Sequence, residues 1–169
     1  MDKPVLVIGN KNYSSWSLRP WLLLKVNDVA FDEVRVALYQ QGSKVAIQSH
    51  APAGGAPYGK VPILRDGATT VWDSLAICEY AAERWPSIRG WPVDLAQRAH
   101  ARAISAEMHS GFATLRSEMP MNCPTVTPST PAAPPFSLTF NHALHTSFFG
   151  MSCDLPCNFG SLMRFLPHG

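Results

Sequence analysis

The 169-residue sequence lacks any apolar run long enough to cross a bilayer, and it lacks the pattern of a secretory signal. Its first apolar run, residues 5–8, is too short for the hydrophobic region of a signal peptide. The few cysteines form no CxxC pair, which argues against a redox dithiol and against a disulfide framework; they are Cys78, Cys123, Cys153 and Cys157. These absences predict a cytoplasmic protein that does not bind membranes.

The sequence also has little net charge. The formal charge of +2 is too small to indicate a nucleic-acid partner or an acidic membrane surface. Cys153 and Cys157 lie near three histidines, but the three-residue gap between the two cysteines does not match a zinc-binding pattern, so we predict no metal site. A hydrophobic content of 46% is enough for one good core or two small ones.

One stretch, residues 10–21 (NKNYSSWSLRPW), contains most of the residues that indicate a function. It follows the short apolar strand of residues 5–8. Pro20 has no amide hydrogen and fits best in a first helical turn, which predicts an N-cap at or near Ser17 and places Ser14 and Ser15 in the preceding loop. A helix N-terminus beside a hydroxyl-bearing loop favours a small anion such as a thiolate, although serines before helices are more often simple caps.

The charges around this stretch point the same way. No acidic residue occurs between Lys3 and Val26, whereas three basic residues do: Lys11, Arg19 and Lys25. The local field therefore favours an anion.

The first half of the chain predicts the element order βαβαββα. The predicted strands are residues 5–8, 33–38, 60–65 and 69–72. The first predicted helix ends near Asn27, and the other two predicted helices span residues 43–48 and 74–84. This order predicts a mixed four-stranded sheet with helices on its faces. On the third helix, Leu75, Cys78 and Ala82 form the predicted buried side.

The second half predicts a linker at residues 86–93 and then one long helix. Asp94 and Gln97 resemble a capping box, and the helix is expected to continue to about Glu118. Its predicted buried side consists of small and apolar residues: Leu95, Ala99, Ala103, Ala106 and Phe112.

Two further motifs combine with the serines. Pro62 stands at the start of a predicted strand, where a missing amide costs least, and a cis bond there would turn the Val61 backbone outward as a donor and acceptor pair. Asp73 and Ser74 open the third helix, where they read either as a helix cap or as a site for an amino-acid zwitterion.

Taken together, these motifs resemble the glutathione S-transferase family over roughly residues 1–123. The N-terminal stretch is closest to bacterial members and is similar to the Ser-Ser-Cys motif of the zeta class. The resemblance implies a thioredoxin-like, glutathione-binding domain at residues 1–85 and the start of an all-helical domain at residues 94–123. It also implies a homodimer.

The resemblance further implies roles for individual residues. Ser14, with Ser15 as a close rival, would donate a hydrogen bond to the glutathione sulfur. Glutathione would be held by Lys60, Val61, Pro62, Asp73, Ser74 and Gln40, and the pocket for a small electrophile would include Met108, His109 and Phe112. No metal is needed, because a hydrogen bond and a helix dipole suffice to lower the pKa of a thiol.

Three functions remain open from the sequence. The first is transfer of glutathione to small electrophiles, and the second is a glutathione-dependent isomerisation of the maleylacetoacetate type. The third is a glutathione-binding module without catalysis.

Residues 124–169 form an irregular, proline-rich tail in which only Asp154 and Arg164 are charged after Phe136. We expect this tail to be disordered or foreign to the family. A reading-frame change near Cys123 would truncate the helical domain in this way.

Overall fold

The computed structural model describes residues 3–51 and 59–122. The elements in chain order are β1 (Val5–Ile8), α1 (Ser15–Val26), β2 (Asp32–Arg35), α2 (Ser43–Gln48), β3 (Ile63–Asp66), β4 (Thr69–Trp72), α3 (Ser74–Arg84), α4 (Leu95–Ser110) and α5 (Ala113–Glu118). The described residues form two compact units, one of residues 3–90 with 113–122 and the other of residues 91–112. The predicted tail after Cys123 lies outside the described residues, and the domain boundaries remain a prediction.

The four strands form one mixed sheet with the order β2-β1-β3-β4. β1 pairs with β2 in parallel and with β3 antiparallel, and β3 pairs antiparallel with β4. A two-residue turn at Gly67, whose φ is +57°, joins β3 to β4 as the Asp66-Gly67 pair predicts. The predicted order βαβαββα and the thioredoxin-like architecture are therefore confirmed.

The two faces of the sheet are covered by different helices. Val7 and Ile63, which are paired in the register, pack with Val36 and with Ile47 of α2 on one face. Because side chains alternate along a strand, the paired residues Leu6 and Leu64 point to the other face. There α1 and α3 pack against each other and against the strands.

The first helix begins one turn earlier than predicted. Its N-cap is Ser14, not Ser17, and the first helical bond runs from the Leu18 N–H to the Ser14 carbonyl at 3.0 Å. Pro20 consequently lies inside the helix and not in its first turn. The prediction failed because it placed proline by its missing amide alone, and a helix whose flanks are well packed tolerates one lost bond.

The bounds of α2, β4 and α3 agree with the sequence prediction, but the buried side of α3 does not. Its buried residues are Ser74, Ile77 and Ala81, whereas Leu75, Cys78 and Ala82 are only partly buried. The observed residues share one face at the i, i+3 and i+4 spacing, and the predicted stripe was rotated by one residue.

The long helix predicted to reach Glu118 is interrupted. α4 ends at Gly111, whose N–H donates to the Glu107 carbonyl at 2.8 Å, and a Cβ at Gly111 would stand 2.8 Å from that same oxygen. Phe112 then has a φ of +60°, which no helix can continue, and α5 begins after it. Gly111 itself is extended, with φ −98° and ψ −168°, and Phe112 is the left-handed residue, so the helix ends at this pair and does not continue to Glu118 as predicted.

The start of α4 follows the prediction, and its buried side does not. The Asp94 side chain accepts a hydrogen bond from the Gln97 N–H at 2.8 Å, which confirms the cap. The buried residues of α4 are Ala101 and Ser105. The residues predicted to be buried are exposed: Leu95, Ala99, Ala103, Ala106 and Phe112. None of the helices in the described ranges is both long enough and apolar enough to span a bilayer.

Candidate functional site

The topology brings the predicted glutathione-binding residues to one edge of the sheet. β1 and β4 both run antiparallel to β3, so they are parallel to each other, and β2 is parallel to β1. The ends of β1, β2 and β4 and the start of β3 therefore lie at the same edge. The loops at this edge carry all of the predicted residues: Ser14, Ser15, Gln40, Lys60, Val61, Pro62, Asp73 and Ser74.

Ser14 is held where β1 passes into α1. Its N–H donates to the Asn10 carbonyl at 2.8 Å, and the residue is only 8% exposed. Although Ser14 is the N-cap, its hydroxyl makes no capping hydrogen bond and instead lies 2.8 Å from the hydroxyl of Ser17. The simple capping role that competes with a functional one therefore does not account for this side chain. Ser15 is the first helical residue and is partly exposed.

The loop that carries Ser14 is joined to β2 by an ion pair. The Lys11 ammonium donates to both carboxylate oxygens of Glu33, at 2.7 and 2.9 Å, and the Trp21 indole N–H donates to the same carboxylate at 2.7 Å. Burial alone would raise the pKa of Glu33, but the hydrogen bonds from Lys11 and Trp21 and the charge of Lys11 outweigh it and hold that pKa below its ordinary value. Lys11 is thus neutralised locally, which corrects the expectation that it contributes to an anion-attracting field.

The ion pair between Lys11 and Glu33 should change how the stability of the protein depends on pH in the acid range. We expect Glu33→Gln to lower the free energy of unfolding by about 1 kcal/mol at neutral pH, because the ion pair is bidentate and partly buried. A depressed carboxyl pKa stabilises the fold above the ordinary value of 4.5 and loses that effect as the pH falls through the lower folded-state value. The difference between wild type and variant in urea unfolding should therefore shrink as the pH falls below about 4.5. Glu83→Gln, an exposed change on α3, is the control, and an equal loss there would contradict this account.

A cluster of two cationic side chains, which was not predicted from the sequence, lies beside this loop. The guanidinium carbons of Arg19 and Arg116 stand 4.2 and 4.5 Å from the centroid of the Trp16 indole ring. Burial and the nearby charge of Arg116 lower the pKa of Arg19 to about 10, and the charges of Cys78 and Asp73 act in the opposite direction. A lone arginine within the apolar run of α1 is the signal in the sequence that could have indicated a buried cation.

Cys78 is not a candidate for the reactive thiol. Burial raises its pKa to about 12, even though the charge of Arg19 acts to lower it. The thiol is therefore protonated at neutral pH, and a protonated thiol is a poor nucleophile. Within the described residues, no group of three or more histidine, cysteine, aspartate or glutamate side chains is arranged to hold a metal ion.

The start of α3 combines a cap with a buried hydroxyl. Asp73 accepts hydrogen bonds from the N–H groups of Leu75 and Ala76 at 2.9 and 3.3 Å, so its role as a cap is observed. Asp73 also has a φ of +77°, a region that L residues rarely adopt and that is enriched at functional sites. Ser74 is 1% exposed, and its hydroxyl makes no hydrogen bond to any part of the chain that the structure describes.

The remaining predicted residues differ in their surroundings. The Val61–Pro62 peptide bond is cis, Pro62 is buried, and Val61 packs against the core cluster of Val7 and Ile63. Lys60 and Gln40 are exposed, and the Gln40 N–H donates to the Ser43 hydroxyl at 3.0 Å.

The predicted pocket residues belong to the second unit. Met108 and His109 are partly buried on α4, and Phe112, which follows α4, is 49% exposed. Their role in an electrophile pocket remains a prediction.

Comparisons with known proteins agree with this thioredoxin-like domain. Residues 13–84 match the family model described as glutathione S-transferase, N-terminal domain. A probable maleylacetoacetate isomerase of Caenorhabditis elegans is 35% identical over 114 residues, which are 68% of this chain and 50% of that protein. The maleylacetoacetate isomerase of Rattus norvegicus is 33% identical over 114 residues, covering 68% and 51%. This chain thus spans about half the length of the curated relatives it matches.

The solved structures show the same fold. The crystal structure of a glutathione transferase homologue from Burkholderia, with bound glutathione, has a TM-score of 0.54 and 24% identity, covering 69% of this chain and 58% of that chain. Human glutathione S-transferase T1-1 in its apo form has a TM-score of 0.52 and 27% identity, covering 62% and 43%. Through its N-terminal domain, this chain belongs to the glutathione S-transferase family.

Proposed function

We propose that this chain binds glutathione at the sheet edge that carries Ser14, Val61 and Ser74, and that Ser14 stabilises the glutathione thiolate for attack on a small electrophile. The observation that carries the proposal is the buried hydroxyl of Ser74, which lies at the N-terminus of α3 beside a strained Asp73. A buried hydroxyl without a partner costs free energy, and a ligand carboxylate at a helix N-terminus would supply that partner.

Each part of glutathione matches, by its chemistry, one of the three groups of residues at this edge: Ser14, Val61, and Asp73 with Ser74. The γ-glutamyl carboxylate would accept hydrogen bonds from Ser74, and the ammonium would face Asp73. The backbone of Val61 would pair with the cysteinyl unit in the manner of a short strand. The sulfur would then lie at the N-terminus of α1, where the Ser14 hydroxyl and the helix dipole both favour the thiolate over the thiol.

From this thiolate two reactions are possible. In a transfer, the sulfur forms a bond to an electrophilic carbon, and either a leaving group departs with its electron pair or a proton is taken up by the neighbouring carbon. In an isomerisation, the sulfur adds to a conjugated double bond, the resulting single bond rotates, and expulsion of the thiolate restores the double bond. The names of the curated relatives, which are maleylacetoacetate isomerases, favour the second reaction as an alternative. We further propose that the chain acts in the cytoplasm as a homodimer.

Ser74→Ala tests the binding site directly. We expect the affinity for glutathione to fall by roughly tenfold, the lower bound for one hydrogen bond to a charged group. The free protein should be as stable as wild type or slightly more so, because the substitution removes a buried hydroxyl that has no partner among the described residues. Calorimetric titration with reduced glutathione and thermal unfolding of the free protein measure the two effects.

Ser49→Ala is the matched control, since Ser49 is exposed and, among the described residues, its hydroxyl donates to the Ala46 carbonyl of the preceding helix α2. Wild type that gives no saturable heat with glutathione would overturn the proposal. Binding of glutathione without turnover of any electrophile or maleyl compound would instead support the third function, a glutathione-binding module that has no catalytic activity.

A further inference from the structure

Three polar groups form a buried chain between the end of β1 and the start of α1. The Gly9 N–H donates to the Ser17 hydroxyl oxygen at 3.0 Å, and the Ser17 oxygen lies 2.8 Å from the Ser14 oxygen. Ser17 is completely buried. A Cβ at Gly9 would stand 2.5 Å from the Leu38 side chain and 3.3 Å from the Ser14 Cβ, so glycine permits this close approach of strand and loop.

The Gly9 N–H can only donate, so it fixes the first bond of this chain, whereas the bond between the two hydroxyls can run either way and in the ligand-free chain runs from Ser14 to Ser17. The Gly9 N–H fixes Ser17 as an acceptor, which leaves the rotating Ser17 hydrogen available for the oxygen of Ser14. If Ser17 donates to Ser14, the hydrogen of Ser14 is released for an acceptor outside the chain. If the bond runs the other way, the Ser14 hydrogen is consumed inside the protein. A negatively charged acceptor next to Ser14 selects the first arrangement.

We infer that Ser17 is a positioning residue that turns the hydroxyl hydrogen of Ser14 toward the glutathione sulfur. The inference rests on the proposed function, since it assigns the acceptor of Ser14 to that sulfur. Each bond in the sequence Gly9 N–H, Ser17 O–H, Ser14 O–H polarises the next one, so Ser14 becomes a better donor than an isolated hydroxyl. Complete burial of Ser17 keeps water from supplying the same bond.

A purely structural role for Ser17 makes a different prediction. In that case its hydroxyl serves only as the acceptor that ties the β1 backbone to α1, and its removal leaves a buried N–H unsatisfied. Stability would fall, but the ionisation of a bound thiol would not change. The pH dependence of the thiolate in the complex therefore separates the two roles.

The experiment measures the pKa of glutathione bound to the full chain by the ultraviolet absorbance of its thiolate. We expect Ser17→Ala to raise this pKa by roughly half a unit to one unit, the size of one neutral hydrogen bond. Below the pKa of the bound thiol, glutathione affinity should change little, and above it the affinity should fall by the linked factor of roughly threefold to tenfold. In the double variant with Ser14→Ala, removal of Ser17 should add nothing, because its effect acts through Ser14.

Ser17→Cys is a second variant for the case that Ser17→Ala does not fold. The cysteine side chain fills the volume of the site, while its thiol is only a weak hydrogen-bond donor. It should shift the bound pKa in the same direction as Ser17→Ala, and Ser49→Ala should leave it unchanged. The inference is overturned if Ser14→Ala raises the pKa of the bound thiol and neither Ser17 variant does. A wild-type complex whose thiol ionises as in free glutathione would instead overturn the proposed function, and this inference with it.

Discussion

Ser14→Ala should lower turnover by about tenfold to a hundredfold, the loss expected for one charge-assisted hydrogen bond of roughly 1.5–3 kcal/mol. Ser14 is buried, its hydroxyl is not used as a helix cap, and it stands at the N-terminus of α1. In the proposed complex, removal of the hydroxyl would take a donor from the thiolate and leave the contacts to the rest of glutathione in place. Affinity for glutathione should therefore change less than turnover.

Steady-state kinetics with an electrophilic substrate across pH provide the measurement. The loss should become smaller as the pH rises, because glutathione then ionises without help from the protein. Ser15→Ala is the comparison, since Ser15 is the adjacent hydroxyl and is partly exposed as the first residue of α1. Full activity of Ser14→Ala together with a crippled Ser15→Ala would move the catalytic role to Ser15.

The second large effect is on stability. Leu64→Ala should lower the free energy of unfolding by about 3–5 kcal/mol, which is a large share of the 5–15 kcal/mol typical of a domain. Leu64 is completely buried in β3, where it is paired with Leu6 on one side and with Val71 on the other. Strands on both sides limit the collapse of the cavity that alanine would leave.

Chemical unfolding monitored by circular dichroism tests this expectation. Val45→Ala on α2 is the control, because Val45 is 70% exposed and its truncation should change the stability by no more than about 0.5 kcal/mol. A loss below about 1 kcal/mol for Leu64→Ala would show that the centre of the sheet is not the core described above.

Much of the fold follows from local signals. The turn at Asp66-Gly67, the cap at Asp94 and the six-residue helix α2 depend on a few neighbouring residues, and their positions agree with the prediction. Some errors occurred where distant contacts decide, whereas the end of α4 at Gly111 is a local feature that the prediction overlooked. The start of α1 and the buried face of α3 depend on what packs against them, and a pattern of apolar residues does not record which neighbour that is.

For the site, motifs in the sequence identified the residue types and their order along the chain. Ser14, Val61 and Asp73 with Ser74 are recognisable because each stands beside a strand end or a helix start, which is a local property. Their assembly at one edge follows from the strand order β2-β1-β3-β4, and this order depends on pairings between segments up to about sixty residues apart.

The sequence alone determined the order of the elements, the turn at Asp66-Gly67 and the cap at Asp94, because these depend on short-range backbone preferences, and its motifs indicated the family that the chain resembles. Only the tertiary structure decided that Lys11 is neutralised by Glu33, that Arg19 is buried beside Trp16, and that Ser17 contacts Ser14. The physical reason is that pairing and burial set the charge state and hydrogen-bond partner of a side chain. Both depend on groups that are distant in the chain and adjacent only after folding.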